Sequence, residues 1–161
     1  MFELRSYITN DAAAINALAV RCFAQFKSKY NDWDAFAKRL EKFSELAESS
    51  EIIVAVKDSE VIGAVAYVPP HAKKAEFFPN NTPIIRMLVV SPSARGLGAG
   101  KALSEECIKR AKRDNCCAIA LHTSSIMEIA LPMYQRMGFN LYGPAPDIFG
   151  VKYNVYSKRI A

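Results

Sequence analysis

The chain has 161 residues, is 51% hydrophobic with 11% aromatic residues, and carries a formal net charge of +5. This length suits one compact domain covering residues 1–161, and the composition excludes a disordered, linker-like or collagen-like chain. The excess positive charge falls in residues 51–161, which hold 14 basic and 9 acidic residues. Such a field suits an anionic partner: a nucleic acid, a membrane surface or a phosphorylated small molecule.

The first fifty residues predict a strand followed by two helices. Residues 2–8 form the strand, and Asn10 or Asp11 caps a helix that runs to about Phe26. Asn31-Asp32 caps the second helix, in which apolar residues recur at spacings of three and four while charged residues occupy the other face. We therefore expect the second helix to pack on an apolar surface.

The middle of the chain is rich in β-branched residues. Residues 51–57 and 60–68 are two such runs joined by Asp58-Ser59, which predicts a tight antiparallel hairpin. Residues 69–83 contain four prolines and no periodicity, so we expect a loop. Residues 84–90 predict a third strand of this region.

The remaining residues alternate helices and strands. We expect a helix over residues 98–114, a strand over 116–123, a helix over 126–137 that stops at Gly138, and strands over 139–142 and 151–157. The resulting order is β-α-α-β-β-β-α-β-α-β-β. It predicts an α/β (mixed α+β) fold with a mixed sheet covered by helices.

Targeting and cysteine patterns favour a protein that stays where it is made. The longest apolar stretch, residues 61–68, is far shorter than the roughly 18 residues that a membrane-spanning helix needs. The first residues lack the basic start and apolar core of a secretion signal. The four cysteines show no CxxC spacing, which predicts reduced, mostly buried thiols, no metal site and a cytoplasmic location.

The most informative segment is the glycine-rich turn between a strand and a helix, residues 89–101. Its glycines allow several backbone N–H groups to point into one cavity, and the helix N-terminus, Arg95 and Lys101 add positive charge. A Walker loop is excluded because its positions for Gly and Ser/Thr hold Arg95 and Ala102. A dinucleotide fingerprint is excluded because Lys101 stands where its third Gly is needed.

What remains is the run Arg95-Gly96-Leu97-Gly98-Ala99-Gly100, which resembles the Arg/Gln-x-x-Gly-x-Gly/Ala signature of the GCN5-related N-acetyltransferase (GNAT) family. A second run, Tyr134-Gln135-Arg136-Met137-Gly138-Phe139, is similar to the family's Tyr-x-x-x-Gly-Phe. The resemblance covers roughly residues 50–142, and two motifs about 35 residues apart are more specific than either alone. It implies a mostly antiparallel mixed sheet with helices on both faces.

The resemblance also implies acetyl-CoA as the cofactor and a position for it. The backbone amides of the glycine-rich turn would bind the pyrophosphate, and the exposed backbone of the preceding strand would pair with the pantetheine. The residues so implied are Met87, Leu88, Val89, Val90, Arg95, Gly96, Leu97, Gly98, Ala99, Gly100 and Lys101.

Acetyl transfer to an amine also needs a proton for the departing thiolate. Tyr134 matches the family position that supplies it, and a phenol with an ordinary pKa of about 10 is protonated at neutral pH. A core tyrosine on an amphipathic helix is the alternative role. The amide of Leu88 or Val89 would polarise the thioester carbonyl.

The sequence departs from the family pattern at two places. Many members carry Glu on the strand before the signature, whereas this chain has Ile84, Ile85 and Arg86 there, so we expect a water relay to assist amine deprotonation. Met127 stands where the family often has Asn, and Thr123 or Ser124 is a candidate replacement. The candidate bases are His122, Glu128 and Glu76.

The acceptor amine is expected between the N-terminal helices and the loop of residues 69–83. Asp32 and Asp34 are candidates for binding a cationic amine, although helix capping explains them equally well. The candidate aromatic lining residues are Tyr30, Trp33, Tyr67, Phe77, Phe78, Tyr142 and Phe149.

Taken together, these patterns predict an N-acetyltransferase that acetylates a primary amine of a small molecule or peptide in a direct ternary complex. An acyl-CoA-binding sensor without turnover is the first alternative, and a basic nucleic-acid-binding protein is the second. The second lacks a basic run interleaved with aromatic residues. Neither nucleic acid nor membrane is therefore an expected partner, and monomer and homodimer both remain open.

Overall fold

The computed structural model describes residues 1–161, which form one seven-stranded sheet, four α-helices and four short 3-10 helices. The strands are β1 (Glu3–Ser6), β2 (Glu51–Lys57), β3 (Glu60–Val68), β4 (Ile84–Val90), β5 (Ala118–Thr123), β6 (Asn140–Ile148) and β7 (Val151–Arg159). The α-helices are α1 (Ala12–Ala24), α2 (Trp33–Leu40), α3 (Ala99–Arg113) and α4 (Ala130–Arg136).

The strands lie in the order β1-β2-β3-β4-β5-β7-β6. Every neighbouring pair is antiparallel except β4 and β5, which are parallel. The predicted element order and the mixed, mostly antiparallel sheet are both confirmed. Asp58 and Ser59 have φ angles of 50° and 64°, as the two central residues of a type I′ hairpin turn require.

Helices cover both faces of the sheet because its central strands are apolar on both sides. Ile52 and Ile53 are adjacent on β2 and point to opposite faces, where each is almost fully buried. Ile53 packs in the core under α3 and α4, whereas Ile52 packs in the core under α1 and α2. On α3, Leu103 and Cys107 have no exposed surface, which is expected of an amphipathic helix.

Three element boundaries differ from the predictions by four residues or more. The apolar pattern of the second helix continues to Ala47, but the helix ends at Leu40. A 3-10 helix follows, in which the Asn16 side chain accepts from the backbone N–H of Ser44 at 2.7 Å. The last helix begins only at Ala130, because Pro132 is tolerated in its first turn and not deeper. β6 extends to Ile148 despite its prolines, since an edge strand has no partner on its outer side.

Two side-chain expectations need correction. Asp11 does not cap α1; its carboxylate accepts a hydrogen bond from the Ile8 N–H at 2.9 Å and pairs with Arg5. All four cysteines are free, but only Cys107 is buried and Cys117 is exposed, so the thiols are not mostly buried. Asp32 does cap α2, accepting from the Ala35 N–H at 3.1 Å. None of the helices has the length and apolarity to cross a membrane.

The C-terminal end of α3 is tied to the sheet by charged groups. Glu51 on β2 accepts from Arg110 at 2.9 Å and from Arg113 at 2.8 Å. Asp114, just after the helix, accepts from Arg113 and from the Tyr67 hydroxyl at 2.8 Å. The charged side chains among them are partly exposed, so each ion pair contributes little singly, but together the pairs fix where the helix ends.

Candidate active site

The sheet opens between β4 and β5. Their register contains one pair, Ile84 with Ala120, and beyond it the backbone of β4 has no strand on its β5 side. On the β3 side, Val65 faces both Met87 and Leu88, which marks a β-bulge, and Met87 has a φ of 57°. A bulge bends a strand and re-aims its backbone groups, so β4 carries unpaired peptide groups at the opening.

The N-terminus of α3 faces the same opening without a side-chain cap. Gly98 occupies the N-cap position with a φ of 85°, and Gly96 also has a φ of 85°. A side chain at either position would be strained, although a Cβ there would meet nothing within 4 Å. The first-turn N–H groups of the helix therefore have no intrahelical partner and can receive an anion.

A cleft of about 1150 Å³ lies where these features meet. Eight of the eleven sequence-predicted cofactor residues line it: Leu88, Val90, Arg95, Gly96, Gly98, Ala99, Gly100 and Lys101. The other three lie elsewhere. Met87 lines a neighbouring cavity, Val89 is buried against α1 and its neighbours, and Leu97 is exposed on the turn.

The cleft is lined by more positive than negative side chains. Only Glu105 and Glu128 oppose the basic residues, which are Arg95, Lys101, Lys109, Lys112, Arg136 and Lys158. Arg95 and Lys101 were predictable from the glycine-rich turn, whereas the other four basic residues were not predicted. The signal for Lys109 and Lys112 was their position with Lys101 and Glu105 on one face of α3, whereas Arg136 and Lys158 are brought in only by the fold.

These features fit the chemistry of coenzyme A. Its pyrophosphate and phosphate need backbone N–H groups and cations, which the α3 N-terminus and the basic residues supply. Its pantetheine amides need unpaired backbone groups, which β4 supplies. The apolar wall formed by Ile108, Met133 and Met137 suits the uncharged parts.

A second cavity of about 390 Å³ adjoins this cleft and is lined by residues of both β4 and β5. It shares Phe23, Leu88, Met127 and Ala130 with the larger cleft, so the two spaces meet at these residues. Met127, the residue in place of the family's Asn, is thus part of the junction. The remaining lining of this cavity comes from α2, the 3-10 helix after it, β4, β5, α4, β6 and β7.

None of the seven aromatic residues predicted for the acceptor side lines this second cavity. The Tyr30 hydroxyl lies 2.6 Å from that of Tyr153, and Tyr67 donates to Asp114 on the α3 side of the sheet. Phe77 and Phe78 pack against His122, with ring centroids 5.5 and 5.4 Å away. The aromatic residues that do line the cavity are Phe23, Phe36, Phe43, Tyr134 and Tyr153.

Tyr134 lies on α4 beside the junction. Its side chain is 95% buried in the core, meets the Phe139 ring edge-on at 5.6 Å, and lines the second cavity rather than the larger cleft. Burial, reinforced by Cys107, raises the pKa of its phenol above the ordinary value. The phenol is therefore a proton donor throughout the neutral range.

His122 is the only one of the three predicted base candidates that lines the second cavity. Its Nδ1 is buried without a hydrogen-bond partner, and the Phe77 ring stacks on the imidazole. Burial and the nearby Arg86 lower the pKa of His122 to about 4, so the ring is neutral at pH 7. Glu128 is exposed at the rim of the larger cleft, and Glu76 lines neither space.

Thr123 and Ser124, the candidates to replace the family's Asn, are both buried. Thr123 lines the second cavity. Ser124 lines neither space, and its hydroxyl accepts a hydrogen bond from the Ile126 N–H at 3.4 Å. Of these two residues, only Thr123 borders a cavity.

Comparison with known proteins agrees with this geometry. The chain is 26% identical to a histone acetyltransferase HPA2 and related acetyltransferase from Corynebacterium glutamicum, with a TM-score of 0.75 over 99% of this chain and 97% of that one. It is 16% identical to the PaiA N-acetyltransferase of Thermoplasma acidophilum, solved in complex with coenzyme A, with a TM-score of 0.71 over 99% of each chain.

A curated relative is the N-acetylaspartate synthetase of Danio rerio, 33% identical over 94 residues, or 58% of this chain. The chain spans 31% of that relative's length. The family model for the acetyltransferase (GNAT) family matches residues 12–139, which include the splayed strands, the glycine-rich turn and α4. This protein therefore belongs to the acetyltransferase (GNAT) family.

Proposed function

We propose that this protein is an acetyl-CoA-dependent N-acetyltransferase that transfers the acetyl group directly to a primary amine in a ternary complex. The observation that supports this most is the meeting of the two cavities at Leu88, Met127 and Ala130. The larger space has the features that coenzyme A needs, and the smaller one also reaches Leu88 of β4. Two reactants held in these two spaces would meet there without a covalent enzyme intermediate.

The chain's own residues would hold acetyl-CoA as follows. The first-turn amides of α3, with Arg95 and Lys101, would bind the pyrophosphate. The backbone of Leu88 and Val90 would pair with the pantetheine where β5 has moved away. When bound, acetyl-CoA supplies an activated thioester carbonyl at the junction of the cavities.

Two groups near the junction would assist the transfer. A backbone N–H of the β4 bulge, at Leu88 or Val89, would stabilise the carbonyl oxygen as it becomes negative. Tyr134 would donate its phenolic proton to the departing thiolate, because burial keeps that proton in place at neutral pH. The second cavity would hold the acceptor amine and is called the acceptor cavity from here on. Glu45 is the only carboxylate that lines it, and β4 has none. Water would therefore carry away the amine proton.

The acyl-CoA sensor remains the second candidate, because no carboxylate of β4 faces the acceptor cavity. Calorimetric titration with acetyl-CoA, followed by thiol release across a panel of amines, separates the two. Micromolar binding with thiol release would support the transferase. Tight binding with no release from any amine would support the sensor, and no binding by the folded protein would refute both.

A further inference from the structure

The acceptor cavity is unusually positive for a site that takes an amine. Three basic side chains line it, Arg39 on α2, Lys42 after it and Arg86 on β4, against the single carboxylate of Glu45. His122 adds no charge at pH 7 because its pKa is about 4. A cationic acceptor such as a polyamine would meet net repulsion here.

Arg39 and Arg86 both lack an ion-pair or side-chain hydrogen-bond partner within the protein. Arg5, Arg110 and Arg113 each pair with a carboxylate at 3.0 Å or less, whereas neither Arg39 nor Arg86 has a carboxylate oxygen within 4.0 Å or any side-chain hydrogen bond. Two unpaired guanidinium groups on the wall of one cavity leave their fork-shaped donor sets available to a ligand.

The two guanidinium groups approach from different elements. Arg39 lies over the Phe149 ring, 5.5 Å from its centroid, which restricts its position at the α2 side of the cavity. Arg86 directly precedes the bulge residue Met87 on β4, next to the peptide groups that would polarise the acetyl carbonyl. Both residues line the cavity that Leu88 also lines, so an anionic group held between them would be in the same space as the transferring acetyl group.

We propose that the acceptor is a small amine that carries a carboxylate, of the amino-acid class, and that Arg39 and Arg86 bind this carboxylate. The proposal rests on the function proposed above and specifies its substrate. Guanidinium–carboxylate pairs are the strong, geometrically specific choice for such recognition. The cavity volume of about 390 Å³ is near the lower end of the range for small-molecule sites, about 300–1,000 Å³, so an amino acid fits better than a peptide.

The reaction balances without a further reactant. The amine nitrogen forms a bond to the acetyl carbon, and the carbon–sulfur bond breaks. Coenzyme A leaves as its thiol after Tyr134 gives it a proton. The acceptor ammonium loses two protons in all, of which one passes to water and the other restores the Tyr134 phenol. The carboxylate of the acceptor takes no part in bond formation and serves only for binding.

Thiol release from acetyl-CoA tests this proposal directly. The acceptors are L-aspartate and L-glutamate, the corresponding amino acids with their carboxylates converted to amides, and spermidine as a cation. We expect kcat/KM to be at least tenfold higher for the carboxylates than for the amides, with spermidine the poorest acceptor. Preferential turnover of the amides or of spermidine would overturn the proposal and leave the N-acetyltransferase function intact.

Substitutions of the two arginines test whether these residues cause the preference for carboxylate acceptors. Arg39→Gln and Arg86→Gln should each raise the KM for the carboxylate acceptor by about tenfold to a hundredfold, the range for hydrogen bonds to charged groups, with a smaller change in kcat. Lys38→Gln is the matched control, because Lys38 is exposed on the same helix and lines neither cavity. An unchanged KM in both arginine variants would overturn the assignment.

Other results would show that the proposed N-acetyltransferase function itself is wrong. If the folded protein does not bind acetyl-CoA, both proposals fall. If it binds acetyl-CoA but acetylates nothing, titration of the coenzyme A-saturated protein with L-aspartate decides the matter. Binding that Arg39→Gln weakens would support the carboxylate site, and absence of binding would overturn it.

Discussion

Ile84 and Ala120 form the single register pair that joins β4 to β5. Both residues are buried, with 3% and 0% of their surfaces exposed, so the sheet is closed at this point and open beyond it. The two cavities exist because the opening is never bridged by backbone hydrogen bonds. Substitutions in the opening should therefore affect ligand binding more than folding.

Gly100→Ala should separate these two effects. A Cβ at Gly100 would lie 3.6 Å from both the Met133 sulfur and the Val90 side chain, an ordinary contact distance. Because alanine favours a helix by about 0.5–1 kcal/mol over glycine, the melting temperature should stay the same or rise. The methyl group narrows the cleft between α3 and β4, so calorimetry should show weaker acetyl-CoA binding.

Gly143→Ala is the control for this experiment. Gly143 lies on the edge strand β6, outside both cavities, and its Cβ would meet nothing within 4 Å. Its acetyl-CoA affinity should equal that of the parent protein. Equal affinity in a folded Gly100→Ala variant would show that pantetheine does not pass between α3 and β4.

Tyr134→Phe should lower kcat by about a hundredfold, the lower end for loss of a general acid, and leave the acetyl-CoA dissociation constant unchanged. Burial raises the pKa of the Tyr134 phenol, so kcat in the parent should not fall from loss of this proton before the pH exceeds about 10. Steady-state kinetics over pH 6–10 checks both statements, with Tyr156→Phe as a control from the same core. Equal losses in the two variants would assign Tyr134 a packing role only.

His122 should make the protein less stable in acid. Its pKa falls from 6.5 unfolded to about 4 folded, so below pH 6.5 the unfolded chain binds the proton more readily. Stability is fully present above pH 6.5 and declines as the pH falls towards 4, by at most about 3 kcal/mol. Urea unfolding at pH 7 and pH 4.5 measures this difference.

The two histidines of the chain make that measurement a matched comparison. His122→Gln should reduce the loss of stability between pH 7 and pH 4.5, whereas His71→Gln, on the exposed loop before β4, should not. An identical loss in the His122→Gln variant would mean that carboxylates such as Asp11, whose pKa is lowered mainly by its hydrogen bond with Arg5, dominate the acid response.

Cys22 offers a chemical probe of cleft occupancy. It lies on α1 and lines the larger cleft, and burial raises the pKa of its thiol, so alkylation should be slow and should proceed best at alkaline pH. Saturating acetyl-CoA should slow labelling of Cys22 further, as followed by mass spectrometry of its peptide. Exposed Cys117 is the internal reference, and protection of both thiols alike would point to a general change in the fold.

The order of elements could be predicted because each is coded locally. The alternation of Ile52 and Ile53, the Asp58-Ser59 turn and the glycines before α3 each specify a structure within a few residues. The boundaries that differed depend on distant contacts, such as Asn16 with Ser44, or on the edge position of β6. No short window of sequence contains that information.

The candidate site divides in the same way. The glycine-rich turn is continuous in sequence, so most residues of the turn that line the larger cleft could be identified. The acceptor cavity takes Arg39 from α2, Arg86 from β4 and Tyr153 from β7, and only the folded sheet brings them together. The predicted aromatic residues lie outside this cavity, because aromatic type alone does not distinguish a core position such as Tyr67 from a cavity wall.

The charged groups around Glu51 and Asp114 hold α3 at its C-terminal end only. At the other end Gly98 offers no side chain to complete the first turn, so a bound phosphate would act as the missing cap of the helix. The same backbone N–H groups would then complete the helix and bind the ligand. Amide hydrogen exchange in the first turn of α3 should consequently slow when coenzyme A binds, whereas exchange in the last turn should not change.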